Sequence, residues 1–145
     1  MASLDFEQYA ANFFVQPTPE PRFEFTGLFG TTLFYEDYEA AVAYFTAVLG
    51  PPTYVEGPGT RGWPIGNGWL TLLQGNTGNP QNVEITFTVA TPAEAEKLHA
   101  AFIAAGGQGE PPSDQLMYAP IRYCSVTSPQ DTPLLIISPL TESNK

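Results

Sequence analysis

Residues 83–107 decide the fold, and they read VEITFTVATPAEAEKLHAAFIAAGG. Apolar and polar residues alternate over Val83–Ala90, which predicts a strand with one buried face. Thr91 then supplies a helix N-cap, with Pro92 at the first helical position. The Gly106-Gly107 pair ends this helix. The stretch therefore predicts a strand that leads directly into a helix packed on its apolar face.

The same order occurs earlier in the chain. Residues 25–35 are typical of a strand, Asp37 caps a helix, and Gly50 closes that helix. Asp37 and Thr91 lie 54 residues apart. A strand–helix–three-strand order that occurs twice indicates two similar modules that share one core. The three short strands are predicted at Thr53–Glu56, Arg61–Ile65 and Gly68–Gln74 after the first helix, and at Gln115–Tyr118, Ile121–Val126 and Leu134–Ser138 after the second.

Residues 1–24 are predicted to be an extension of this domain. Apolar residues at helical spacing predict a short helix with Ser3 as its N-cap. Pro17, Pro19 and Pro21 end that helix and impose an extended linker. We expect the helix to pack on the domain body or on a second subunit, because its apolar residues are Leu4, Phe6, Tyr9, Phe13 and Phe14. The domain is expected to span residues 25–140, with modules at about 26–75 and 82–139.

The composition excludes several kinds of partner. The chain has 145 residues, 43% of them hydrophobic and 13% aromatic, which suits one globular domain. Fifteen acidic residues against five scattered basic residues give a formal net charge of −10. A nucleic-acid backbone requires a clustered basic surface, so we exclude nucleic acid as a partner. An anionic membrane surface is disfavoured for the same reason.

Cys124 is the single cysteine and His99 the single histidine of the chain. We favour a buried, structural Cys124 over a catalytic Cys124–His99 dyad. His99 is expected on the exposed or edge side of the second helix. The first residues lack the basic segment of a secretory signal, and no apolar run approaches 18 residues. We therefore expect a cytoplasmic protein that does not associate with membranes.

Three segments resemble one known family. Residues 37–50 read DYEAAVAYFTAVLG and are similar to the first helix of the vicinal oxygen chelate superfamily, which includes glyoxalase I, extradiol dioxygenases and the bleomycin- and fosfomycin-resistance proteins. Residues 93–107 are similar to its second helix. Residues 125–131, SVTSPQD, lie where the family usually has an aspartate-proline-aspartate-glycine turn. Over about residues 26–139, the resemblance implies an α+β fold in which paired βαβββ modules form a half-open barrel around a cavity.

The resemblance also implies where a metal would be bound. Enzymes of the family place metal ligands on the first and last strands of both modules, and these positions fall on Gly30, about Thr71, Glu84 and Leu135. Glu84 is the one residue of the four that can ligate. A catalytic divalent ion requires about three protein ligands and an open position. We therefore expect no metal and no cofactor.

Candidate site residues follow from the strand faces and from the resemblance. Glu84 lies opposite the apolar face of its strand, so it is either solvated, a cavity carboxylate that binds a polar or cationic ligand, or a general base. Arg122 either binds an anion or pairs with an acid, and Trp63 belongs either to the cavity or to the core. The ligand-binding candidates are Thr32, Phe34, Trp63, Trp69, Thr71, Glu84, Thr86, Tyr118, Arg122 and Leu135.

Three functions remain open from the sequence. The first is metal-independent binding of a small amphipathic molecule, neutral or cationic because the protein is acidic, for sequestration or sensing. The second is a lyase or isomerase that uses Glu84 as base, with Arg122 or a tyrosine as electrophile. The third is a structural or partner-binding module with a vestigial cavity. For all three we expect a homodimer, because the family commonly pairs modules across two chains.

Overall fold

The computed structural model describes residues 4–140. Its helices and strands follow the predicted order, with one additional two-residue strand after the helix of the second module. The helices are α1 (Phe6–Phe13), α2 (Tyr38–Leu49) and α3 (Pro92–Ala104). The strands are β1 (Gly30–Tyr35), β2 (Tyr54–Val55), β3 (Thr60–Ile65), β4 (Gly68–Gln74), β5 (Ile85–Thr88), β6 (Gln108–Gly109), β7 (Ser113–Leu116), β8 (Pro120–Thr127) and β9 (Pro133–Pro139).

The strands form two sheets of the same topology. The first sheet has the order β1-β4-β3-β2, and the second has the order β5-β9-β8-β6, with β7 also paired to β8. In each sheet the first strand runs parallel to the last strand, and the remaining pairs are antiparallel. This arrangement confirms the predicted α+β fold of paired βαβββ modules. The second module differs in one respect, because β6 and β7 together occupy the edge position that β2 occupies in the first.

The predicted helix boundaries are close to those observed because they depend on local capping. Asp37 precedes α2, and Gly50 ends it with a positive φ of 91°. The Thr91 hydroxyl accepts a hydrogen bond from the Glu94 amide at 3.2 Å. Three strands are shorter than predicted: β1 begins at Gly30 rather than Phe25, β2 covers only Tyr54–Val55, and β5 covers Ile85–Thr88. Gly27, with a φ of 93°, interrupts the extended backbone before β1.

An aromatic core joins the two modules. The rings of Tyr44 and Phe102 lie 5.7 Å apart, and Phe45 lies 6.0 Å from Trp63. The Tyr44 hydroxyl donates a hydrogen bond to the carbonyl oxygen of Phe102 at 2.8 Å, which ties α2 to α3. Burial raises the pKa of Tyr44 to about 12. Each helix therefore packs on its own sheet and on the other helix.

His99 is buried, so the prediction that it lies on an exposed or edge side was wrong. α3 buries Ala95, His99 and Phe102, which lie on one face at helical spacing. The His99 Nε2 atom lies 2.8 Å from the backbone carbonyl oxygen of Ser125, so a polar partner compensates for its burial. Cys124 is also buried in the core, and burial raises the pKa of its thiol.

The aromatic arm, which we define as residues 4–29, lies outside this core. Its helix α1 is capped by Asp5, whose Oδ1 atom accepts from the Gln8 amide at 3.0 Å. The predicted cap, Ser3, lies outside the described residues. α1 has no buried residue, and its rings pack mainly on one another, such as Tyr9 on Phe13 at 4.9 Å. None of the helices in residues 4–140 is long and apolar enough to cross a membrane.

Candidate ligand-binding cleft

A cleft of about 540 Å³ lies between the two sheets. Its walls come from three stretches of chain: the approach to β1 and its first residues, the β3–β4 turn, and β5 with the residue before it. The lining residues are Gly27, Phe29, Thr31, Ile65, Gly66, Asn67, Gly68, Trp69, Leu70, Glu84, Ile85, Thr86, Phe87 and Thr88.

Two edge strands, β1 and β5, border the cleft. In residues 4–140, β1 pairs with β4 alone and β5 with β9 alone, so each is an edge strand. Five consecutive residues, 84–88, line the cleft. Because neighbouring side chains of a strand point to opposite faces, a consecutive run means that the backbone edge of β5 forms the wall. The cleft thus offers backbone polar groups as well as side chains.

Glycines shape the opposite wall. Gly66 has a φ of 56° in the β3–β4 turn, a conformation that other residues rarely adopt. A Cβ atom on Gly68 would collide with the backbone carbonyl oxygen of Phe29. The absence of a side chain there lets the segment before β1 cross the turn closely. Phe29 and Gly27 consequently become part of the cleft wall.

The lining carries one carboxylate and no basic group. Glu84 is exposed, and hydroxyl groups of Thr31, Thr86 and Thr88 lie in the same lining. Phe29 and Trp69 supply aromatic surface. A single acidic group in an acidic protein favours neutral or cationic molecules over anions. Aromatic rings beside such a group can also bind a cation through their faces.

The face of the first sheet turned away from α2 is uncovered, and we call it the open face. Phe34, Tyr54 and Trp69 lie on it with 56%, 46% and 42% of their surfaces exposed. The rings of Tyr54 and Trp69 meet edge to face at 6.5 Å across Gly62. The Tyr54 hydroxyl donates to Glu56 Oε1 at 2.6 Å, and this bond raises the pKa of Tyr54. Trp69 therefore belongs both to the open face and to the cleft.

The predicted site residues separate into groups. The cleft brings together Trp69, Glu84 and Thr86. Thr32, Phe34 and Thr71 lie on the adjoining open face, where Thr32 and Thr71 are register partners in β1 and β4. Leu135 is buried beside Thr86 in the second sheet. None of these last four residues lines the cleft.

Two of the predicted ligand-binding residues face the helix side of the sheets, which corrects their assignment. Trp63 is only 2% exposed, and its Nε1 atom donates to the Gly50 carbonyl oxygen at 2.8 Å. Arg122 donates from Nε to Asp114 Oδ1 at 2.6 Å and also pairs with Glu96 of α3. The core alternative for Trp63 and the ion-pair alternative for Arg122 are the ones observed.

Tyr118 also lies apart from the cleft. It is highly exposed between β7 and β8, and it is not part of the cleft lining. Conversely, Phe29, Thr31 and the β3–β4 turn line the cleft although the sequence did not indicate them. The sequence could have indicated Thr88 as a lining residue, because it lies on the same strand face as Glu84 and Thr86.

The four positions at which the family would hold a metal do not suit one. Gly30 has no side chain, Leu135 offers hydrocarbon, and Thr71 offers a neutral hydroxyl. Glu84 supplies the one charged arm. Across residues 4–140, no group of three or more histidine, cysteine, aspartate or glutamate residues could hold a metal ion. The donor set therefore does not fit the family's metal.

No family model and no curated protein matches the sequence. Solved structures do match the fold. A glyoxalase/bleomycin resistance protein from Albidiferax ferrireducens is 18% identical with a TM-score of 0.63, covering 75% of this chain and 96% of its own. A glyoxalase-related enzyme from Fulvimarina pelagi is 18% identical with a TM-score of 0.61, covering 79% and 88%.

A fosfomycin resistance protein, FosX, from Listeria monocytogenes is 15% identical with a TM-score of 0.62, covering 83% of this chain and 96% of its own. That protein was solved with Mn(II) and 1S,2S-dihydroxypropylphosphonic acid. Together these likenesses show that this chain has the fold of glyoxalase/bleomycin resistance proteins, which agrees with the predicted fold. Sequence identities of 15–18% establish the fold alone, so the chemistry has to be inferred from the residues of the site.

Proposed function

We propose that this protein binds a small amphipathic molecule, neutral or cationic, in its cleft without a metal ion, for sequestration or sensing. The observation that carries this proposal is the lining of the 540 Å³ cleft, in which Glu84 is the one charged residue beside aromatic and hydroxyl groups. A volume of this size suits a drug-sized ligand. We further propose that the protein acts in the cytoplasm.

The enzymatic alternative has less support. Glu84 can act as a base only with an electrophilic partner that stabilises developing negative charge. Arg122 is held by Asp114 and Glu96 on the far side of the second sheet, and Tyr118 lies outside the cleft. A partner-binding module with a vestigial cavity is also less supported, because the cleft is open rather than filled.

A thermal-shift and calorimetric comparison of three probes tests the proposed ligand class. Benzyltrimethylammonium, benzyl alcohol and benzoate share a ring and differ in charge. We expect the cation to bind best and the anion worst. The Glu84→Gln variant should lose about two- to fivefold in affinity for the cation and little for the alcohol, since a solvent-exposed ion pair contributes up to about 1 kcal/mol.

Matched controls keep this test specific. Glu110→Gln removes an exposed acid outside the cleft and should leave all three affinities unchanged. Trp69→Ala should weaken every ring-containing probe, whereas Tyr118→Ala should not. Preferred binding of benzoate, or equal effects of Glu84→Gln and Glu110→Gln, would contradict the proposed ligand class.

A further inference from the structure

The aromatic arm and the open face are both uncovered apolar surfaces. The arm carries the most exposed large apolar side chains in residues 4–140, with Phe25 at 85% and Phe29 at 83%. Phe13, Val15, Phe23 and Leu28 in the arm are also largely exposed. Soluble proteins rarely leave such contiguous apolar surface in water, so both surfaces indicate an interaction.

α1 needs a surface to pack on. It has eight residues, and isolated helices of fewer than about 12 residues are marginal in water. Most helical stability in proteins comes from packing an apolar face, yet α1 has no buried residue. The domain body of the same chain leaves the arm uncovered and leaves Phe34, Tyr54 and Trp69 exposed.

The linker favours contact with a second chain. Pro17, Pro19 and Pro21 favour an extended backbone between α1 and β1, and no residue of α1 is buried against its own domain. Residues 14–29 can span up to roughly 50 Å when extended, which is enough to reach a neighbouring copy. The arm joins β1 at Gly30, beside the cleft lined by Gly27 and Phe29.

The available area is sufficient for a dimer. A well-packed aromatic side chain buries about 150 Å² or more. If the largely exposed Phe13, Phe23 and Phe25 are covered in both chains, the arms alone bury about 900 Å². The exposed parts of Phe34, Tyr54 and Trp69 on both receiving faces add to this area. Stable interfaces bury about 1,200–2,000 Å² in total.

We propose that the aromatic arm of one copy docks on the open face of a second copy, reciprocally, and closes the second copy's cleft over Trp69. The two surfaces match in chemistry, since both are aromatic and the receiving rings carry no charge. Because Trp69 belongs to the open face and to the cleft, the partner's arm supplies a wall of the binding site. A complete site then needs two chains related by a two-fold axis.

Cysteine pairing in the full chain tests this exchange and needs no ligand. Phe13→Cys in one chain and Phe34→Cys in a second, differently tagged chain are mixed and mildly oxidised. We expect a mixed disulfide-linked dimer that forms about tenfold or more faster than with Ala43→Cys, an exposed position on α2, in place of Phe34→Cys. Native Cys124 is buried, so it does not compete.

Several results would overturn the proposal. Light scattering of the unmodified protein should give twice 15.7 kDa at micromolar concentration, and a monomer mass would exclude the exchange. An intrachain disulfide in the Phe13→Cys/Phe34→Cys double variant would show that the arm covers its own domain. Equal cross-linking at Ala43→Cys would show that contact is unspecific. Folding of each variant is checked by circular dichroism, and a Phe13→Ser/Phe14→Ser variant should dissociate without loss of the domain's secondary structure.

Discussion

The hydroxyl of Tyr35 lies 2.8 Å from Oγ1 of Thr132, and this bond joins the first module to the second. Thr132 Oγ1 donates its one hydrogen to the carbonyl oxygen of Pro80 at 2.8 Å, so Tyr35 is the donor in the first contact. Both residues are fully buried. The hydroxyl of Thr132 thereby fixes the connection between the modules to the β8–β9 turn.

Replacing this hydroxyl should destabilise the protein. Thr132→Val keeps the shape of the side chain but leaves the Tyr35 hydroxyl and the Pro80 carbonyl without their partner. We expect a loss of about 1–3 kcal/mol in the free energy of unfolding, measured by urea denaturation. Thr127→Val, at an exposed position of β8, is the control and should change stability little. Equal effects of the two substitutions would contradict a structural role for this hydrogen bond.

Stability should fall at alkaline pH because of buried tyrosines. Burial raises the pKa of Tyr44 to about 12 and also raises that of Tyr35, whereas both titrate near 10 when unfolded. Above pH 10 the unfolded chain therefore loses protons that the folded chain retains, so the free energy of unfolding decreases from about pH 10 to pH 12. The Tyr44→Phe variant should be less stable at neutral pH, but its free energy of unfolding should decrease less between pH 10 and pH 12. Urea denaturation at a series of pH values measures this, and the same decrease in the variant and the unmodified protein would contradict the role of Tyr44.

Gly68→Ala should disturb the cleft wall. A Cβ atom at this position collides with the Phe29 carbonyl oxygen, which is backbone and cannot rotate away. We expect the free energy of unfolding to fall by roughly 1–3 kcal/mol, as is typical of overpacking. We also expect the probes to bind more weakly, because the collision moves Phe29 away from Trp69. Gly59→Ala, where the added Cβ atom would lie at an ordinary 3.4 Å from the Gln74 Cβ atom, is the control for the loss of a glycine without a collision. Normal probe binding by a folded Gly68→Ala variant would contradict the role of this close approach.

Purified, tag-free protein should contain no stoichiometric transition metal. One carboxylate with neutral or absent neighbours is too few ligands to compete with water for Zn²⁺ or Mn²⁺. Elemental analysis followed by titration with both ions measures this. A stoichiometric ion that is lost in Glu84→Ala would overturn the metal-free proposal and favour the enzymatic alternative.

The elements of the fold could be predicted because their signals are local. Gly50 and Thr91 act within one turn of their helices, and β4 was predicted over the residues it occupies, Gly68–Gln74. Asp37 was placed correctly before α2, although its carboxylate accepts from the Asn79 amide group and not from the helix. The similarity of the two modules then followed from the repeat. These features depend little on the remainder of the chain.

The site was harder to predict because it depends on long-range contacts. β8 carries apolar residues on both faces, so alternation could not show that Arg122 faces the helix with Cys124. His99 looks like a surface residue until the Ser125 carbonyl is placed beside it. The cleft lies where the edge strands of the two sheets, β1 and β5, approach each other. The sequence pattern of one module does not indicate how close its edge strand lies to that of the other module.

The parallel pairing of β1 with β4 sets the order in which each module can be completed during synthesis. β1 ends at Tyr35, but its partner begins at Gly68. At about 5–20 residues per second, the ribosome needs roughly two to seven seconds to make the intervening chain. Throughout that interval β1 has no strand beside it, and the aromatic arm has already been translated. Each module is therefore closed by its last strand to be translated.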